Sequence, residues 1–412
     1  MDNIWISDEK IFELANEYGT PLYVYDEKNL RKSCREMRGL LPDKNFRVSY
    51  SAKANSNIEL MKIIRDEDID VDAMSPGEIH IQQLAGFTNE QIFFIPNNVS
   101  VEEMQYAIDR DILISVDSLS QLELFGKINP GGKVAVRFNP SAGLGHHDKV
   151  VTAGKNTKFG VQTTQIDEVK ELLKKYSLRL EGINQHLGSF VLTKEPYLKG
   201  VRELLDIAGQ FPGLSFIDFG GGFGVPYSDN DQRLDLADLS AGMDKLLTAF
   251  LIGYDNKDVL FRIEPGRYIT AECGILLGTA HCIKQNHDTV YIGTDLGFNV
   301  LMRPVLYDSY HVVHVAKKNG STGFIKSQTI VGNICESGDI IAKDRSLPQI
   351  EEGDIVVIQS AGAYGFSMSS NYNCRLRPAE VLINTDGSHR LIRRRETYKD
   401  LTAAFDIYGG NG

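Results

Sequence analysis

The sequence predicts an α/β chain with an additional all-β part: a (β/α)8 TIM barrel followed by a C-terminal β-barrel or sandwich domain. Two observations predict this. Short apolar runs alternate with segments of helical spacing as far as residue 275, which is typical of a parallel barrel. From Leu276 onward, strand-like runs follow one another with only turns between them, which indicates a separate β domain.

Eight runs are predicted as barrel strands because they are short, largely apolar and bounded by polar or turn-forming residues. They are residues 46–52, 70–73, 92–95, 113–116, 134–138, 180–186, 214–219 and 259–263. Between them, apolar residues recur three and four positions apart, as in residues 58–64, 79–85 and 198–208. This spacing predicts amphipathic helices that cover the barrel.

We therefore expect a barrel domain at residues 28–275 and a β domain made of residues 1–27 and 276–412. The strands predicted in the β domain are residues 289–293, 311–315, 327–331, 354–359 and 380–383. The early run of residues 21–25 precedes the barrel, and we expect it to pair with this later sheet.

Composition limits the classes of function. The 412 residues carry 44 basic and 55 acidic side chains, and the net charge of -11 argues against a nucleic-acid partner and favours a small-molecule ligand. No apolar stretch approaches a membrane span, and the start of the chain does not read as a signal peptide. The five cysteines show no pairing or metal-ligand spacing, and neither do His281, His287, His311, His314 and His389. We expect a cytoplasmic protein without a metal site.

The candidate site residues follow the predicted strands, because active sites of TIM barrels lie at the carboxyl ends of the strands. They are Lys53, Asp72, Arg137, the segment from His186 to Ser189, the run from Gly220 to Gly224, and the segment from Glu264 to Arg267. A lysine amine can condense with an aldehyde when it is partly desolvated. A glycine run lets backbone N–H groups approach a phosphate. Taken singly, such a lysine is more often a surface residue, and a glycine run is usually a tight turn.

Together, these groups match the needs of pyridoxal 5'-phosphate: an amine for its aldehyde, donors for its phosphate, a flat partner for its ring and a group at its pyridine nitrogen. The chain also resembles the fold-type III pyridoxal-phosphate decarboxylases, whose barrel is of the alanine-racemase type. The resemblance extends from about Pro21 to Arg395. The motifs that carry it are Ser51-Ala52-Lys53-Ala54-Asn55, His186-Leu187-Gly188-Ser189, Gly220-Gly221-Gly222, Glu264-Pro265-Gly266-Arg267, Cys335-Glu336-Ser337-Gly338-Asp339 and Gly362-Ala363-Tyr364-Gly365.

Within that family the chain is most similar to the diaminopimelate decarboxylases. The motifs behind this similarity are Pro96-Asn97-Asn98, Gly145-His146-His147-Asp148 with Lys158-Phe159-Gly160, Arg303-Pro304-Val305-Leu306-Tyr307, and Ser367-Met368-Ser369-Ser370-Asn371-Tyr372-Asn373. The resemblance implies a head-to-tail homodimer with shared active sites. His146 and His147 themselves are read as exposed loop residues, although the resemblance places their loop near the dimeric site.

The resemblance also implies residue roles. Lys53 would hold the cofactor covalently, His186 would stack on its ring, and Glu264 would bind the pyridine nitrogen. Asp72 and Arg137 would lie near the lysine and the ring. From the partner chain, Cys335 would donate a proton to the product and Glu336 would contact the substrate. The other cofactor or substrate contacts expected are Ser189, Gly220, Gly221, Gly222, Gly266, Arg267, Arg303, Tyr307 and Tyr364.

A carboxylate at the pyridine nitrogen favours decarboxylation, because it keeps that nitrogen protonated, whereas racemases of this fold place an arginine there. Arg303 and Tyr307 suit a distal carboxylate, although Arg303 also reads as a surface or interface ion-pair residue. The predicted reaction converts meso-2,6-diaminopimelate into L-lysine and carbon dioxide, a step of lysine biosynthesis.

Three residues depart from the family pattern: Asn184, Phe190 and Val300. The substrate therefore stays open to a related compound such as carboxynorspermidine, a D-amino acid or an amino acid of a specialised pathway. From other classes, a non-catalytic regulatory homologue and a cofactor-storage protein remain as alternatives. The basic run of residues 393–395 is read as a solvated surface without a binding role.

Overall fold

The computed structural model describes residues 4–139, 157–318, 320 and 323–405. The chain divides into two compact units. The barrel unit is Arg31–Ile269, and the β unit consists of Met1–Leu30 together with Thr270–Gly412. The predicted motif that contains His146 and His147 lies outside the described residues.

Strands and helices are numbered in chain order. The described strands are β1 (Leu22–Asp26), β2 (Phe46–Ser51), β3 (Asp70–Ala73), β4 (Ile92–Phe94), β5 (Leu113–Val116), β6 (Lys133–Asn139), β7 (Val161–Gln162), β8 (Arg179–Asn184), β9 (Phe216–Asp218), β10 (Leu260–Ile263), β11 (Gly274–Asn286), β12 (Thr289–Thr294), β13 (Val313–Ala316), β14 (Ile325–Val331), β15 (Ile340–Pro348), β16 (Ile355–Ile358), β17 (Ala379–Ile383) and β18 (His389–Arg393). The described α-helices are α1 (Asp8–Tyr18), α2 (Glu27–Arg38), α3 (Ile58–Asp66), α4 (Pro76–Leu84), α5 (Val101–Ile108), α6 (Leu119–Ile128), α7 (Ile166–Lys175), α8 (Lys194–Ala208), α9 (Leu236–Gly253), α10 (Arg267–Thr270), α11 (Arg303–Tyr307) and α12 (Tyr398–Thr402).

Eight parallel strands close into a barrel in the order β2-β3-β4-β5-β6-β8-β9-β10, and β10 pairs with β2 to complete the ring. The predicted TIM barrel is therefore confirmed, and each of the eight predicted runs overlaps one of these strands. Because all strands run in the same direction, the residues that follow them collect at one mouth of the barrel. Part of the interior is filled by Phe93, Ile95, Ala135 and Phe216, so it is packed rather than open.

Four barrel strands, β2, β4, β8 and β9, end earlier in the structure than predicted, and two of them affect the site. Strand β8 ends at Asn184 and β9 at Asp218, whereas the predicted runs continued to residues 186 and 219. Gly188 and Gly220 follow with φ angles of 130° and 72°, a backbone region that extended strands do not use. His186 and the glycine run therefore lie in loops at the barrel mouth.

The β unit contains a nine-stranded sheet, with β15-β14-β12-β11-β1-β17-β18 along one path and β13 and β16 joined to it through β11. Strand β1 pairs parallel with β17 and antiparallel with β11, which confirms the predicted pairing of the early run with the later sheet. Strands β11, β15 and β18 were not predicted. Their exposed portions carry many charged and polar residues, which mask the apolar signal of a strand.

The β unit is mostly β rather than all β, because helix α1 belongs to it. Ser7 caps this helix by accepting a hydrogen bond from the Lys10 N–H, and Gly19 ends it with a φ of 70°. Ile11 and Leu14 on its apolar face pack in one core with residues of β1, β11, β16 and β17. Among the described helices, none combines the length and hydrophobicity that a transmembrane segment needs.

Candidate active site

Lys53 lies at the barrel mouth, in a short 3-10 turn, Ala52–Ala54, that directly follows β2. Its Nζ donates to Ser51 Oγ at 3.1 Å and lies 3.8 Å from Asp72 Oδ2. The Ser51 hydroxyl in turn donates to the same Asp72 oxygen at 2.6 Å. The lysine side chain is 32% exposed, so its amine is tethered at the mouth instead of extending into solvent as a surface lysine would.

Three buried carboxyl groups belong to the same mouth: Asp72, Asp218 and Glu264. Burial raises the pKa of all three, and for Glu264 the neighbouring carboxylates Asp218 and Asp72 raise it further. The pKa of Asp218 rises to about 6. Among the described residues, no N–H or hydroxyl group donates to Glu264 Oε1, and the polar neighbour of the Glu264 carboxyl group is the Asp218 carboxyl group. The site therefore holds a buried carboxyl oxygen that is available to a proton-bearing ligand atom.

His186 follows β8 and lies beside Glu264. Its Nδ1 accepts a hydrogen bond from the Gly221 N–H at 3.2 Å, so the ring proton of this histidine is on Nε2. Burial lowers the pKa of His186, and the positive charges of Lys53 and Arg137 lower it further. The distance of 3.8 Å between His186 Nδ1 and Glu264 Oε2 is therefore a contact of a neutral ring and not an ion pair.

The glycine run is required by crowding at the mouth. A Cβ on Gly220 would lie 2.1 Å from the carbonyl oxygen of Gln185, and one on Gly221 would lie 2.1 Å from that of Glu264. The N–H groups of both glycines already donate within the protein, to Asp218 Oδ1 and to His186 Nδ1. These two glycines thus bring the loops of three strands together, and the backbone donors for a phosphate must come from elsewhere in the mouth.

Other predicted phosphate contacts border the run. Ser189 is partly buried and follows Gly188, whose carbonyl oxygen lies 2.8 Å from where a Cβ on Gly222 would be. Arg267 is buried, and its Nη1 donates to the Tyr227 hydroxyl at 3.0 Å. Phe190, one of the departures from the family pattern, has its ring centroid 5.9 Å from that of Tyr227.

Gly266 joins the strand ends across the barrel closure, since a Cβ on it would lie 3.0 Å from Ser51 Cβ and 3.1 Å from Ala54 Cβ. Arg137 in β6 is buried, with its guanidinium carbon 4.7 Å from the centroid of the Phe159 ring. Among the described residues, its Nη2 has no hydrogen-bond partner. The barrel unit thus brings together the mouth residues predicted from the strand ends.

Cys335 and Glu336 lie in the β unit, in an exposed turn between β14 and β15. The buried Asp339 carboxylate holds this turn by accepting the N–H groups of Ile334 and Phe298, each at 2.7 Å. Glu336 Oε1 accepts a hydrogen bond from the Tyr372 hydroxyl at 2.7 Å. The motif from Cys335 to Asp339 is therefore a turn. Asp339 anchors it, and the Cys335 and Glu336 residues are exposed.

Arg303, at the start of α11, is 2% exposed, so the alternative of a surface ion-pair residue is wrong. Its Nη1 donates to His311 Nε2 at 2.9 Å. Tyr307 ends the same helix and is partly buried. Tyr364 is also partly buried and has a φ of 56°.

The basic run is solvent-exposed at Arg394, whose side chain is 62% exposed, but Arg393 and Arg395 are partly buried, so the predicted solvated surface is only partly correct. Arg393 pairs with Glu380 of β17, and Arg394 makes two hydrogen bonds to the carboxylate of Asp400. Arg395 donates to the carbonyl oxygens of Tyr18, Gly19 and Pro21 at the end of α1. Arg393 and Arg395 therefore join separate elements of the β unit, whereas Arg394 forms an exposed pair with Asp400.

One histidine has metal-ligand neighbours that its sequence spacing did not show. His389 lies with Glu13 and Glu17, and their ligand-type atoms are within 4.8 Å of one another. Lys10 Nζ, however, bonds to His389 Nδ1 and Glu13 Oε1, both at 2.9 Å. An ammonium group therefore already occupies this cluster.

Sequence reasoning missed Ser51, Asp218, Tyr227, His311 and Asn373 as site residues. Ser51 and Asp218 had a signal, because each is a polar residue at the end of a barrel strand. Tyr227 and His311 become visible only through Arg267 and Arg303, the arginines that contact them. Asn373 contacts Cys335, which is 38 positions away in the chain.

Comparison with known proteins agrees with this geometry. Residues 27–271 match the family described as pyridoxal-dependent decarboxylase, pyridoxal binding domain. A diaminopimelate decarboxylase from Methanothermobacter thermautotrophicus is 41% identical over 94% of this chain and 92% of its own length. One from Archaeoglobus fulgidus is 35% identical over 95% of this chain and 94% of its own length.

A solved structure is also similar. The crystal structure of the M. jannaschii diaminopimelate decarboxylase in complex with L-lysine aligns with a TM-score of 0.88 at 31% identity, covering 97% of this chain and 94% of that chain. Because the family match extends across the whole barrel unit and these relatives align over more than nine-tenths of their length, the chain belongs to the pyridoxal-dependent decarboxylase family and uses pyridoxal 5'-phosphate.

Proposed function

We propose that this protein is a diaminopimelate decarboxylase, which converts meso-2,6-diaminopimelate into L-lysine and carbon dioxide. The observation that carries the reaction class is the buried Glu264 carboxyl group, whose Oε1 receives no N–H or hydroxyl donor among the described residues, set beside a neutral His186 at the mouth that also holds Lys53. The substrate is supported by the relatives, which carry that name at 41% and 35% identity over almost their full length.

The mouth residues fit pyridoxal 5'-phosphate. Glu264 Oε1 is a buried acceptor that receives no N–H or hydroxyl donor among the described residues, and a protonated pyridine nitrogen would supply one. Lys53 would hold the aldehyde carbon, and His186 would lie against the ring. Arg267, Ser189, Gly222 and Gly266 would surround the phosphate. Gly220 and Gly221 would support that cup by their close packing, because their N–H groups are used within the protein.

When bound, pyridoxal phosphate supplies an electron sink for the electron pair that remains after carbon dioxide departs. Glu264 would keep the pyridine nitrogen protonated, which strengthens that sink. Asp72 would hold Lys53 in place through Ser51, because the serine hydroxyl bonds to both side chains. Asp72 and Arg137 would also set the local charge beside the ring.

The carbon that loses carbon dioxide needs a proton, and we assign the donor as Cys335 of the partner subunit in a homodimer. Glu336 and Tyr364 would contact the substrate, and Arg303 with Tyr307 would select its distal carboxylate. Cys335→Ala should reduce turnover far more than cofactor binding, since the proton is delivered after the cofactor is in place. Equal losses of turnover and of cofactor binding would show that Cys335 is not the proton donor.

The substrate test is a screen of the purified enzyme for carbon dioxide release with diaminopimelate, lysine, ornithine and carboxynorspermidine. We expect release with diaminopimelate at a rate at least tenfold above the others. A preference for carboxynorspermidine or another amine would overturn the substrate. If the protein binds the cofactor but releases carbon dioxide from none of these compounds, a cofactor-storage protein would be favoured. If it binds no cofactor, a non-catalytic regulatory homologue would be favoured.

The shared dimeric site can be tested by subunit mixing. Lys53→Ala and Cys335→Ala chains are each expected to be inactive alone. After they are mixed and allowed to exchange, random pairing should restore roughly a quarter of the wild-type activity, because half of the dimers then contain one intact site. Differently tagged chains would show whether subunits exchange. Exchange without recovery of activity would contradict a shared site.

We also place the enzyme in the cytoplasm. All five cysteines are free thiols, which supports a reducing compartment.

A further inference from the structure

The side chain of Asn373 contacts Cys335 at two points. The Cys335 N–H donates to Asn373 Oδ1 at 3.0 Å, and Asn373 Nδ2 donates to Cys335 Sγ at 3.2 Å. One amide group thus holds both the backbone and the sulfur of the same cysteine. Cys335 is exposed, and these two contacts with Asn373 restrict the positions of its side chain.

The orientation of the amide follows from the contacts. A backbone N–H can only donate, so the atom that faces it must be the oxygen of Asn373. The nitrogen of the same amide then necessarily faces the sulfur. A flipped amide would lose the backbone hydrogen bond and would place an oxygen against Sγ.

The backbone at Asn373 and Cys374 has an uncommon, left-handed conformation. Asn373 has φ and ψ angles of 57° and 23°, and the next residue, Cys374, has a φ of 54°. Asparagine tolerates this left-handed region better than most residues, but two consecutive non-glycine residues there store strain. The preceding residue, Tyr372, stacks on Phe298 and donates to Glu336. Tyr372 and Asn373 in one loop therefore hold Glu336 and Cys335 in another.

We propose that Asn373 is a positioning residue for the proton donor: it orients Cys335 Sγ and stabilises the thiolate that remains after the proton has been given up. This inference rests on the proposed role of Cys335. In that step the S–H bond breaks and a C–H bond forms at the carbon that has lost carbon dioxide. The sulfur keeps the electron pair of the S–H bond, and a solvent proton later restores the thiol.

Charge explains why an amide nitrogen faces the sulfur. A hydrogen bond from a neutral donor strengthens when its acceptor becomes an anion, so the Nδ2 contact favours the thiolate over the thiol. A carboxylate in the same place would repel the thiolate. The titratable groups beside the thiol are Glu336 and Tyr372, and the hydrogen bond to Glu336 raises the pKa of Tyr372. These two groups engage each other, while Asn373 engages the sulfur.

The test measures the thiol directly in the cofactor-loaded enzyme. The rate of iodoacetamide alkylation at Cys335 is followed against pH by peptide mass spectrometry, with separate peptides reporting Cys335 and Cys374. Asn373→Asp keeps the shape and the acceptor for the Cys335 N–H but removes the donor to sulfur. We expect alkylation of Cys335 near pH 7 to be slower by about tenfold or more.

Asn373→Gly is the second variant, because glycine keeps the left-handed backbone while deleting the amide. It should slow the alkylation of Cys335 by a smaller factor and lower kcat with little change in KM. Cys374→Gly is the matched control at the adjacent left-handed position, and it should leave both the alkylation rate of Cys335 and the turnover unchanged. Near-UV circular dichroism and the cofactor absorbance verify that each variant is folded and loaded.

An unchanged alkylation rate of Cys335 in both Asn373 variants would overturn the inference. A similar slowing in Cys374→Gly would also overturn it, because the effect would then belong to the loop backbone. The outcome is separable from the proposed reaction. If Cys335→Ala retained full turnover, the proton-donor role would fail even though the alkylation data showed the amide acting on the thiol.

Discussion

Arg303 and His311 form a buried hydrogen bond in which each partner has only one possible role. The Arg303 Nη1 donates to His311 Nε2 at 2.9 Å, and His311 Nδ1 lies 2.8 Å from the carbonyl oxygen of Gln359. A guanidinium only donates and a carbonyl only accepts, so the imidazole is neutral and carries its proton on Nδ1. With exposures of 2% and 1%, neither side chain can exchange this bond for water, and the plane of the guanidinium is held in place.

Replacement of Arg303 should change substrate choice. If its guanidinium selects the distal carboxylate, Arg303→Ala should lower kcat/KM for diaminopimelate by at least about 100-fold, as expected for loss of a charge-assisted contact. Turnover of lysine-like amines without that carboxylate should change much less. Steady-state kinetics with both substrates measure this. An unaltered ratio of the two kcat/KM values would show that Arg303 does not select the distal carboxylate.

Replacement of His311 should act through Arg303. His311→Leu fills a similar space but leaves the Nη1 donor without its acceptor, so the guanidinium should lose its orientation. We expect an increase of about tenfold in KM for diaminopimelate. His314→Leu is the control, because His314 bonds instead to Asp8 at 2.7 Å. Equal effects of the two variants would show a general loss of stability in the β unit.

Lys53 should carry the cofactor. Borohydride reduction of the loaded enzyme, followed by tryptic mapping, should find the added mass on Lys53, and Lys53→Ala should lose both the adduct and the absorbance near the visible edge. Lys62→Ala is the matched control, because Lys62 lies on α3 and is held by Glu59 at 2.7 Å. The mass found on another lysine would displace Lys53 from this role.

The buried Asp218 should make stability depend on pH. Its pKa rises from 3.8 to about 6, so between these values the folded chain binds a proton that the unfolded chain does not. This contribution to the free energy of unfolding is present at low pH and is lost as pH rises through 6. In the cofactor-free protein, we compare the free energy of unfolding of Asp218→Asn with that of the wild type. The difference, variant minus wild type, should increase by on the order of 2 kcal/mol between about pH 4 and pH 7.5.

Urea unfolding at both pH values measures this difference. Asparagine keeps an acceptor for the Gly220 N–H, which bonds to Asp218 Oδ1 at 2.8 Å. The comparison therefore removes the ionisation while it keeps the hydrogen bond from the Gly220 N–H. A difference between variant and wild type that is independent of pH would show that Asp218 does not titrate in this window.

Glu67 should stabilise the barrel unit. This buried carboxylate accepts two hydrogen bonds from Arg35, at 2.8 and 2.9 Å, and one from Arg31 at 2.8 Å. The bonds from Arg35 and then Arg31 hold the pKa of Glu67 below 4.5. Glu67→Gln should lower the free energy of unfolding by about 2 kcal/mol at neutral pH, and the loss should shrink as pH falls through that lowered pKa.

Thermal and urea unfolding test this prediction. Glu123→Gln is the control, because Glu123 pairs with the exposed Lys127 and Lys175 at the surface. Its cost should stay below about 1 kcal/mol. A cost for Glu67→Gln no larger than that of the control would mean that the arginine cluster adds little to stability.

Much of the fold and part of the site followed from local pattern. Backbone hydrogen bonding imposes a period of two on strands and 3.6 on helices, so apolar spacing alone located all eight barrel strands. The barrel rule then placed Lys53, Asp72 and Glu264 together, since residues that follow parallel strands meet at one mouth.

What the sequence determined by itself is therefore the barrel, the cofactor and the reaction class. Only the tertiary structure showed that Arg303 is buried against His311, that Gly220 and Gly221 use their own N–H groups, and that Asn373 holds Cys335. The physical reason is that these contacts depend on which loops meet in space, and loop conformation is set by long-range packing that no local period encodes.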